Sequence, residues 1–231
     1  MEKNLPEGVP LVAEFHDDRN RLSYYYPRLE EIEGVNTPDT QFFEIEGNAQ
    51  THLHLDYRDI TCFMQEIDSE CAFMRGDYSS AKVGGEESLK IESQDPYDIE
   101  ESFATFIRDI ILSQRHIGRR FVVREWIPHD VEVRYFIRDG EILYGDSVKG
   151  FKADWPVGQA HKVAKEFDQA AWSCDFIRHR ETGEWYCIDM GLDGLYHDGQ
   201  RWVAISEHLD KEQHSPENHV EEMPDPETLF S

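Results

Sequence analysis

The sequence predicts an α+β fold in which helices alternate with antiparallel hairpins. Residues 95–118 carry apolar side chains at helical spacing, which indicates a long amphipathic helix. Two hairpins follow, one with Asp139-Gly140 at its turn and one turning at residues 181–183. The 231 residues are 39% hydrophobic, enough to build a sizeable core.

The first third of the chain is predicted to mix short elements. The stretch PRLEEIEGVNTPDTQFFEIEG, which starts at Pro27, indicates a short helix, a turn at residues 36–39 and a strand. DITCFMQEI indicates another short helix. CAFMRGDYSSAKVGG starts as a strand and then breaks into a loop of small residues.

The long helix and the strands after it are the best-defined part of the prediction. Asp98 or the turn before it is expected to cap the helix, and Gly118 follows its end. In VEVRYFIRDGEILYGDSV, period-two alternation separates two faces of one strand. One face carries Val131, Val133, Tyr135 and Ile137, and the other carries Glu132, Arg134, Phe136 and Arg138. GQAHKVAKEFDQAAW is predicted to be a helix.

The charge of the chain limits its partners. Asp and Glu number 48 against 23 Lys and Arg, a formal net charge of -25. Duplex nucleic acid is therefore an unlikely partner, since phosphate contacts need a basic face. Dispersed acid and scarce lysine suit a protein in high salt, and an ordinary acidic protein is the alternative.

The cysteine pattern and the apolar runs favour a cytoplasmic protein. The four cysteines show no CxxC pairing, and no apolar run is long enough to cross a membrane. The chain starts without a signal-peptide pattern. We therefore expect reduced thiols and no membrane partner.

Two stretches carry cations in unusual places. Lys82 lies in a loop of small residues after Arg75, where backbone amides can approach an anion. A solvated lysine in a surface loop is the alternative. Arg124 and Arg134 interrupt apolar strands, which is costly unless each charge is paired or faces a cavity. An ion pair on a sheet face is the alternative there.

The last hairpin, SCDFIRHRETGEWYCIDMG, carries one aspartate on each strand. A turn centred on residue 182 places Asp175 opposite Asp189. Like charges directly opposed on one sheet face are destabilising, and a cation between them removes that cost. Mg²⁺ takes oxygen ligands and often uses one or two carboxylates plus substrate phosphates. Solvated strand ends are the alternative.

In order along the chain, RGDYSSAK, VVREWI, EVRYFIRDG, CDF and CIDMG resemble the ATP-grasp superfamily, over roughly residues 72–192. They are most similar to its clade with signature arginines and a lysine. That clade includes phage and prokaryotic members and a eukaryotic cell-division-cycle protein that assembles a translation initiation factor. The resemblance implies two α+β lobes with antiparallel sheets clasping the nucleotide. It also implies a reduced N-terminal region at 1–65, an ATP-grasp core at 66–206 and an acidic mobile tail at 207–231.

The resemblance also implies roles for particular residues. The nucleotide would contact Arg75, Lys82, Glu125, Trp126 and Ile127, the last three forming a hinge beside the adenine. The residues acting in catalysis would be Lys82, Arg124 and Arg134. Mg²⁺ would be held by Asp175 and Asp189, with Asp193 or water in the place of an asparagine ligand that Gly191 replaces.

Three functions remain open at this point. The leading expectation is an ATP- and Mg²⁺-dependent ligase that joins a carboxylate to an amine or similar nucleophile through an acyl phosphate. The alternative is an ATP-binding assembly factor that grips a protein partner with little or no turnover, which Gly191 favours. A third possibility is an acidic α+β domain that binds no nucleotide.

Overall fold

The computed structural model describes residues 18–45, 55–78, 89–112, 120–150, 154–192, 195–197 and 202–204. The helices are α1 (Leu22–Glu30), α2 (Tyr57–Glu66), α3 (Pro96–Leu112) and α4 (Val157–Glu166). The strands of the first half are β1 (Thr40–Glu44), β2 (Ala72–Gly76), β3 (Lys90–Ile91) and β4 (Arg120–Glu125). Those of the second half are β5 (His129–Arg138), β6 (Glu141–Lys149), β7 (Trp172–His179), β8 (Trp185–Leu192), β9 (Leu195–His197) and β10 (Trp202–Ala204).

The chain forms two compact units. Among the described residues, unit 1 contains 18–21 and those from 40 to 126, and unit 2 contains 22–39 and those from 127 onward. Each unit has a four-stranded antiparallel sheet, with the order β1-β4-β2-β3 in unit 1 and β6-β5-β7-β8 in unit 2. The predicted α+β class is therefore confirmed.

Unit 1 has its core on one face of its sheet. Alternation along β2 and β4 directs Met74 and Val123 to this face, where they pack with residues of α2 and α3. Phe121 contacts the rings of Phe103 and Phe106 edge-to-face, at centroid distances of 4.9 and 5.4 Å. Each fully buried aromatic side chain of this kind contributes about 2–3 kcal/mol to folding. The other sheet face is thereby left to carry polar groups.

The sheet of unit 2 is built on the predicted hairpins. Asp139 and Gly140 have φ of 52° and 82°, the left-handed conformation that a two-residue hairpin turn requires. β5 pairs with β6 across that turn, and β7 pairs with β8 across the second. Val131, Val133, Tyr135 and Ile137, predicted to share one face of β5, are all buried.

The start of α1 differs from prediction, and the start of α3 agrees with one of the two predicted caps. α1 begins at Leu22, and Pro27, the predicted start, lies inside the helix. The buried residues Leu22, Tyr25, Tyr26 and Leu29 follow helical spacing, so burial of this face outweighs the local cost of the proline. α3 is capped by the turn before it, since the Asp95 carboxylate accepts a hydrogen bond from the N–H of Tyr97 at 2.8 Å. Asp98 lies within the first turn.

The predicted regions 1–65, 66–206 and 207–231 differ from these units, and that division stays a prediction. β1, from the first region, pairs with β4, from the second. Residues 207–231 lie outside the described part of the chain. No helix among the described residues is both long and apolar enough to span a membrane.

Candidate functional site

The sheet face of unit 1 that points away from its core carries Arg75, Arg124 and Lys90, here called the cationic face, and also Arg120, which pairs with Glu44. Phe73 pairs directly with Arg124 on one side and with Lys90 on the other, so all three side chains share its face. Arg75 follows two residues after Phe73 and therefore projects the same way. Arg75 and Arg124 are 4% and 3% exposed. Two buried guanidinium groups on one face suit an anionic ligand with several oxygens.

Lys90 is a residue of this face that the sequence reasoning missed. Its Nζ lies 5.1 Å from the ring centroid of Trp126 and 3.2 Å from Oε1 of Glu92. The ring of Phe73 packs against Trp126 at a centroid distance of 6.3 Å. The Trp126 ring is therefore held by a cation and an aromatic ring of its own unit. Period-two alternation, with Leu89 and Ile91 buried on either side of Lys90, was the available signal.

The predicted hinge coincides with the boundary between the units, which falls between Trp126 and Ile127. Glu125 is the last residue of β4 and pairs with Ala72. Ile127 is buried, and its carbonyl oxygen accepts a hydrogen bond from Nδ1 of His129 at 2.9 Å. The three predicted adenine-binding residues thus lie at this boundary in the sequence, and their roles as a hinge and as nucleotide contacts stay predictions.

In unit 2, Asp175 and Asp189 are direct cross-strand partners, so the predicted register is confirmed. Asp175 also pairs across β5 with Arg134, and the two side chains form a bidentate ion pair. Arg134 donates from Nε to Oδ1 and from Nη2 to Oδ2, both at 2.6 Å. The Asp175 hydrogen bond raises the pKa of Arg134 above its ordinary value, although burial opposes it. Glu132 and Asp189 add further attraction.

Asp189 is held by a residue that the sequence reasoning did not single out. The hydroxyl of Tyr25 in α1 donates a hydrogen bond to Oδ1 of Asp189. The same oxygen accepts from the N–H of Met190 at 3.0 Å. Tyr25 is fully buried, and its ring packs edge-to-face on Trp172. The carboxylate therefore has a fixed position before any ligand arrives.

The carboxylates of Asp175 and Asp189 fit a divalent cation that already carries other ligands. In the part of the chain that the structure describes, no group of three or more His, Cys, Asp or Glu residues is placed to hold a metal. Mg²⁺ commonly uses one or two protein carboxylates together with water and substrate phosphates. Asp175 and Asp189 supply that number, and Arg134 neutralises part of their charge. These residues fit Mg²⁺ carried by phosphate better than the free ion.

Two predicted site residues cannot be placed. Lys82 and Asp193 lie outside the described residues. Their roles as a phosphate ligand and a metal ligand stay predictions. Arg75 and Arg124 lie on one face, as do Arg134, Asp175 and Asp189, each set within its own unit.

Comparison with known proteins shows likeness in fold without likeness in sequence. No protein-family model matches the chain, and no curated protein matches it. The biotin carboxylase domain of the Hydrogenobacter thermophilus 2-oxoglutarate carboxylase, in complex with MgADP, ADP and bicarbonate, is 14% identical with a TM-score of 0.52. That match covers 74% of this chain and 39% of the other.

A second solved structure is the ATP-grasp ligase PsnB complexed with a phosphomimetic variant of its minimal precursor, Mg and ADP. It is 12% identical, with a TM-score of 0.50, over 75% of this chain and 49% of that one. Cdc123 from Schizosaccharomyces pombe is 12% identical, with a TM-score of 0.48, over 89% and 91% of the two chains. The chain thus spans less than half of the first two proteins. Their likeness confirms the ATP-grasp fold predicted from the sequence.

Proposed function

Because the chain has the ATP-grasp fold, we propose that it binds ATP with Mg²⁺ and acts as an ATP-dependent ligase. The observation that carries the proposal is the pair of in-register carboxylates, Asp175 and Asp189, of which only Asp175 is hydrogen-bonded to a guanidinium, that of Arg134. Such a cluster has excess negative charge at short range, and a divalent cation complements it. Two similar structures contain Mg and ADP, which supports nucleotide as the ligand.

The roles proposed for the residues follow from their chemistry. Asp175 and Asp189 would hold Mg²⁺, which when bound offsets phosphate charge and orients the transferred group. Arg75 and Arg124 would bind phosphate oxygens through their planar forks. Lys82 would add a further cation, and Arg134 would face the phosphates or the acceptor. These contacts position the reactants and stabilise charge in the transition state.

The reaction proposed is a carboxylate–amine or carboxylate–thiol ligation. The acceptor carboxylate attacks the terminal phosphorus of ATP, which gives an acyl phosphate and ADP. An amine or similar nucleophile then attacks the acyl carbon and releases inorganic phosphate. The acceptor is an unidentified carboxylate or amine compound, or a protein.

The test is a calorimetric titration of ATP in the presence of Mg²⁺, at low and at multimolar salt, followed by assay of ADP formation. We expect one ATP per chain, and we expect Asp189→Asn to lose turnover at least a hundredfold. Asp139→Asn is the matched control, since Asp139 lies at an exposed hairpin turn that asparagine also adopts. Full activity in Asp189→Asn would reject the metal assignment, and absent ATP binding in both salts would reject the function.

A second candidate is an ATP-dependent binding or assembly factor with little turnover. Two observations favour it: both oxygens of Asp175 are engaged by Arg134, and position 191 carries no side chain. Nucleotide would then stabilise a conformation that binds a protein partner. Tight ATP binding without ADP formation would select this candidate over the ligase.

A further inference from the structure

Ser173 lies on the same sheet face as the two carboxylates of unit 2. In β7 it precedes Asp175 by two residues, and residues two apart project to one face. Across the strand pair it is the direct partner of Gly191, which follows Asp189 by two residues. Directly opposite residues of an antiparallel pair also share a face. Ser173, Asp175 and Asp189 therefore border one patch, in which the fourth position is a bare glycine.

The Ser173 hydroxyl occupies the space above that glycine. A Cβ placed on Gly191 would lie 3.1 Å from Oγ of Ser173. Ser173 is only 8% exposed. The hydroxyl thus lies on the same face as two carboxylates, where it can offer a neutral oxygen donor beside theirs.

We propose that Oγ of Ser173 is a third oxygen ligand, beside Asp175 and Asp189, of the divalent cation that accompanies the nucleotide. The proposal rests on the proposed function for the identity of that ion. A neutral hydroxyl suits this place because Mg²⁺ prefers oxygen donors in an octahedral arrangement. It adds a ligand without adding charge to a cluster that Arg134 only partly neutralises. Gly191 matters because a Cβ at this position would lie 3.1 Å from the hydroxyl and require it to shift slightly.

The first variant is Ser173→Ala, which removes the oxygen and leaves the backbone of β7 unchanged. We expect it to weaken binding of ATP with Mg²⁺ by about tenfold in calorimetry, the lower end of the loss seen when residues that support a metal site are removed. Binding of ATP without divalent cation should change less than twofold. If Ser173 served only in packing, its replacement would change the affinity for ATP equally with and without Mg²⁺, or would change neither.

The second variant, Ser173→Cys, tests the metal directly. Sulfur is a soft ligand, so Ser173→Cys should weaken binding of ATP with Mg²⁺ as Ser173→Ala does. The same variant should bind Cd²⁺ at least tenfold more tightly than the wild type. Ser147→Cys in β6 controls for an added thiol elsewhere on the sheet. Adding Asp189→Asn to Ser173→Cys should remove the gain, since thiol and carboxylate would share the ion.

These titrations separate the inference from the proposed function. Equal Mg²⁺-dependent affinity in Ser173→Ala and the wild type, with no Cd²⁺ gain in Ser173→Cys, overturns the role of Ser173 even if ATP binds. Failure of the wild type to bind ATP overturns the nucleotide function. In that case, titration of Cd²⁺ without nucleotide still tests whether residue 173 is a metal ligand. If Ser173→Cys increases the affinity for Cd²⁺ no more than Ser147→Cys does, the result also counts against the proposal.

Discussion

The Arg134–Asp175 ion pair should stabilise unit 2 far more than a similar pair stabilises unit 1. The structure offers a matched comparison, because Arg120 and Glu44 are also direct cross-strand partners. The Nε–Oδ1 distance of the first pair is 2.6 Å, and the Nε–Oε1 distance of the second is 2.7 Å. The side chains of the first pair are 27% and 10% exposed, and those of the second 43% and 65%. The first pair is thus more buried than the second, and it is also bidentate, whereas Arg120 donates one hydrogen bond to Glu44.

Burial sets the expected magnitudes. Removing Arg134 leaves the nearly buried Asp175 carboxylate without its cation, which costs about 3–5 kcal/mol. We expect a coupling energy of about 2–3 kcal/mol from the cycle of Arg134→Met, Asp175→Asn and the double variant. The corresponding cycle of Arg120→Met and Glu44→Gln should give less than about 1 kcal/mol, because solvent screens exposed pairs.

The assay is urea unfolding of the wild type and the variants, at low and at high salt. For a chain of this size each kcal/mol corresponds to roughly 2–4 °C in Tm, so thermal melts provide an independent check. Salt should reduce the coupling of the Arg120 pair while leaving that of the Arg134 pair nearly unchanged. Equal coupling in the two pairs, or equal sensitivity to salt, would refute the reasoning from burial.

Three further predictions concern the core and a turn. Cys62 is exposed and Cys174 buried, so an alkylating reagent should label Cys62 within minutes and Cys174 only after unfolding; equal labelling rates would contradict this placement. Burial raises the pKa of the Cys174 thiol and the Tyr135 hydroxyl above their ordinary values. As pH rises, the unfolded chain therefore loses these protons before the folded chain does. The free energy of unfolding should be constant below about pH 9. Above it, urea titrations should show a decrease of up to about 1.4 kcal/mol per pH unit for each group. A midpoint that stays constant from pH 8 to 10.5 would exclude this linkage. Gly140→Ala, at φ 82°, should destabilise by about 1–2 kcal/mol, whereas the control Gly158→Ala in α4, with open space around it, should be neutral or stabilising.

The local features of the fold were predictable because their causes are local. The dipeptide Asp139-Gly140 specifies a turn that only residues tolerant of positive φ adopt, and both residues have it. The pairing of Asp175 with Asp189 follows from a short turn at known position, since register in a hairpin is set by its loop. The predicted start of α1 is wrong, and the reason is also local. Proline is common in the first turn of a helix, but the helical spacing of the buried residues before Pro27 is the stronger signal.

The partners of the candidate site residues were not predictable in the same way, because they come from distant parts of the chain. Tyr25 is 164 positions from Asp189, and Arg134 is 41 positions from Asp175. Periodicity can place Tyr25 on a buried helix face, but the strand edge that this face covers depends on the tertiary fold. The same holds for Ser173, whose environment is defined by the absence of a side chain at Gly191 across the pair.

The engagement of Asp175 by Arg134 explains how two opposed carboxylates are tolerated in a folded chain before any metal binds. The guanidinium supplies the positive charge that the pair requires, and Tyr25 donates a hydrogen bond to the second carboxylate. The proposed divalent cation would then compete with Arg134 for Asp175. Phosphate oxygens offer the guanidinium an alternative partner of equal geometry, so nucleotide and metal should bind together more favourably than either binds alone. A titration with Mg²⁺ alone would not detect this coupling. ATP and metal should therefore be titrated together.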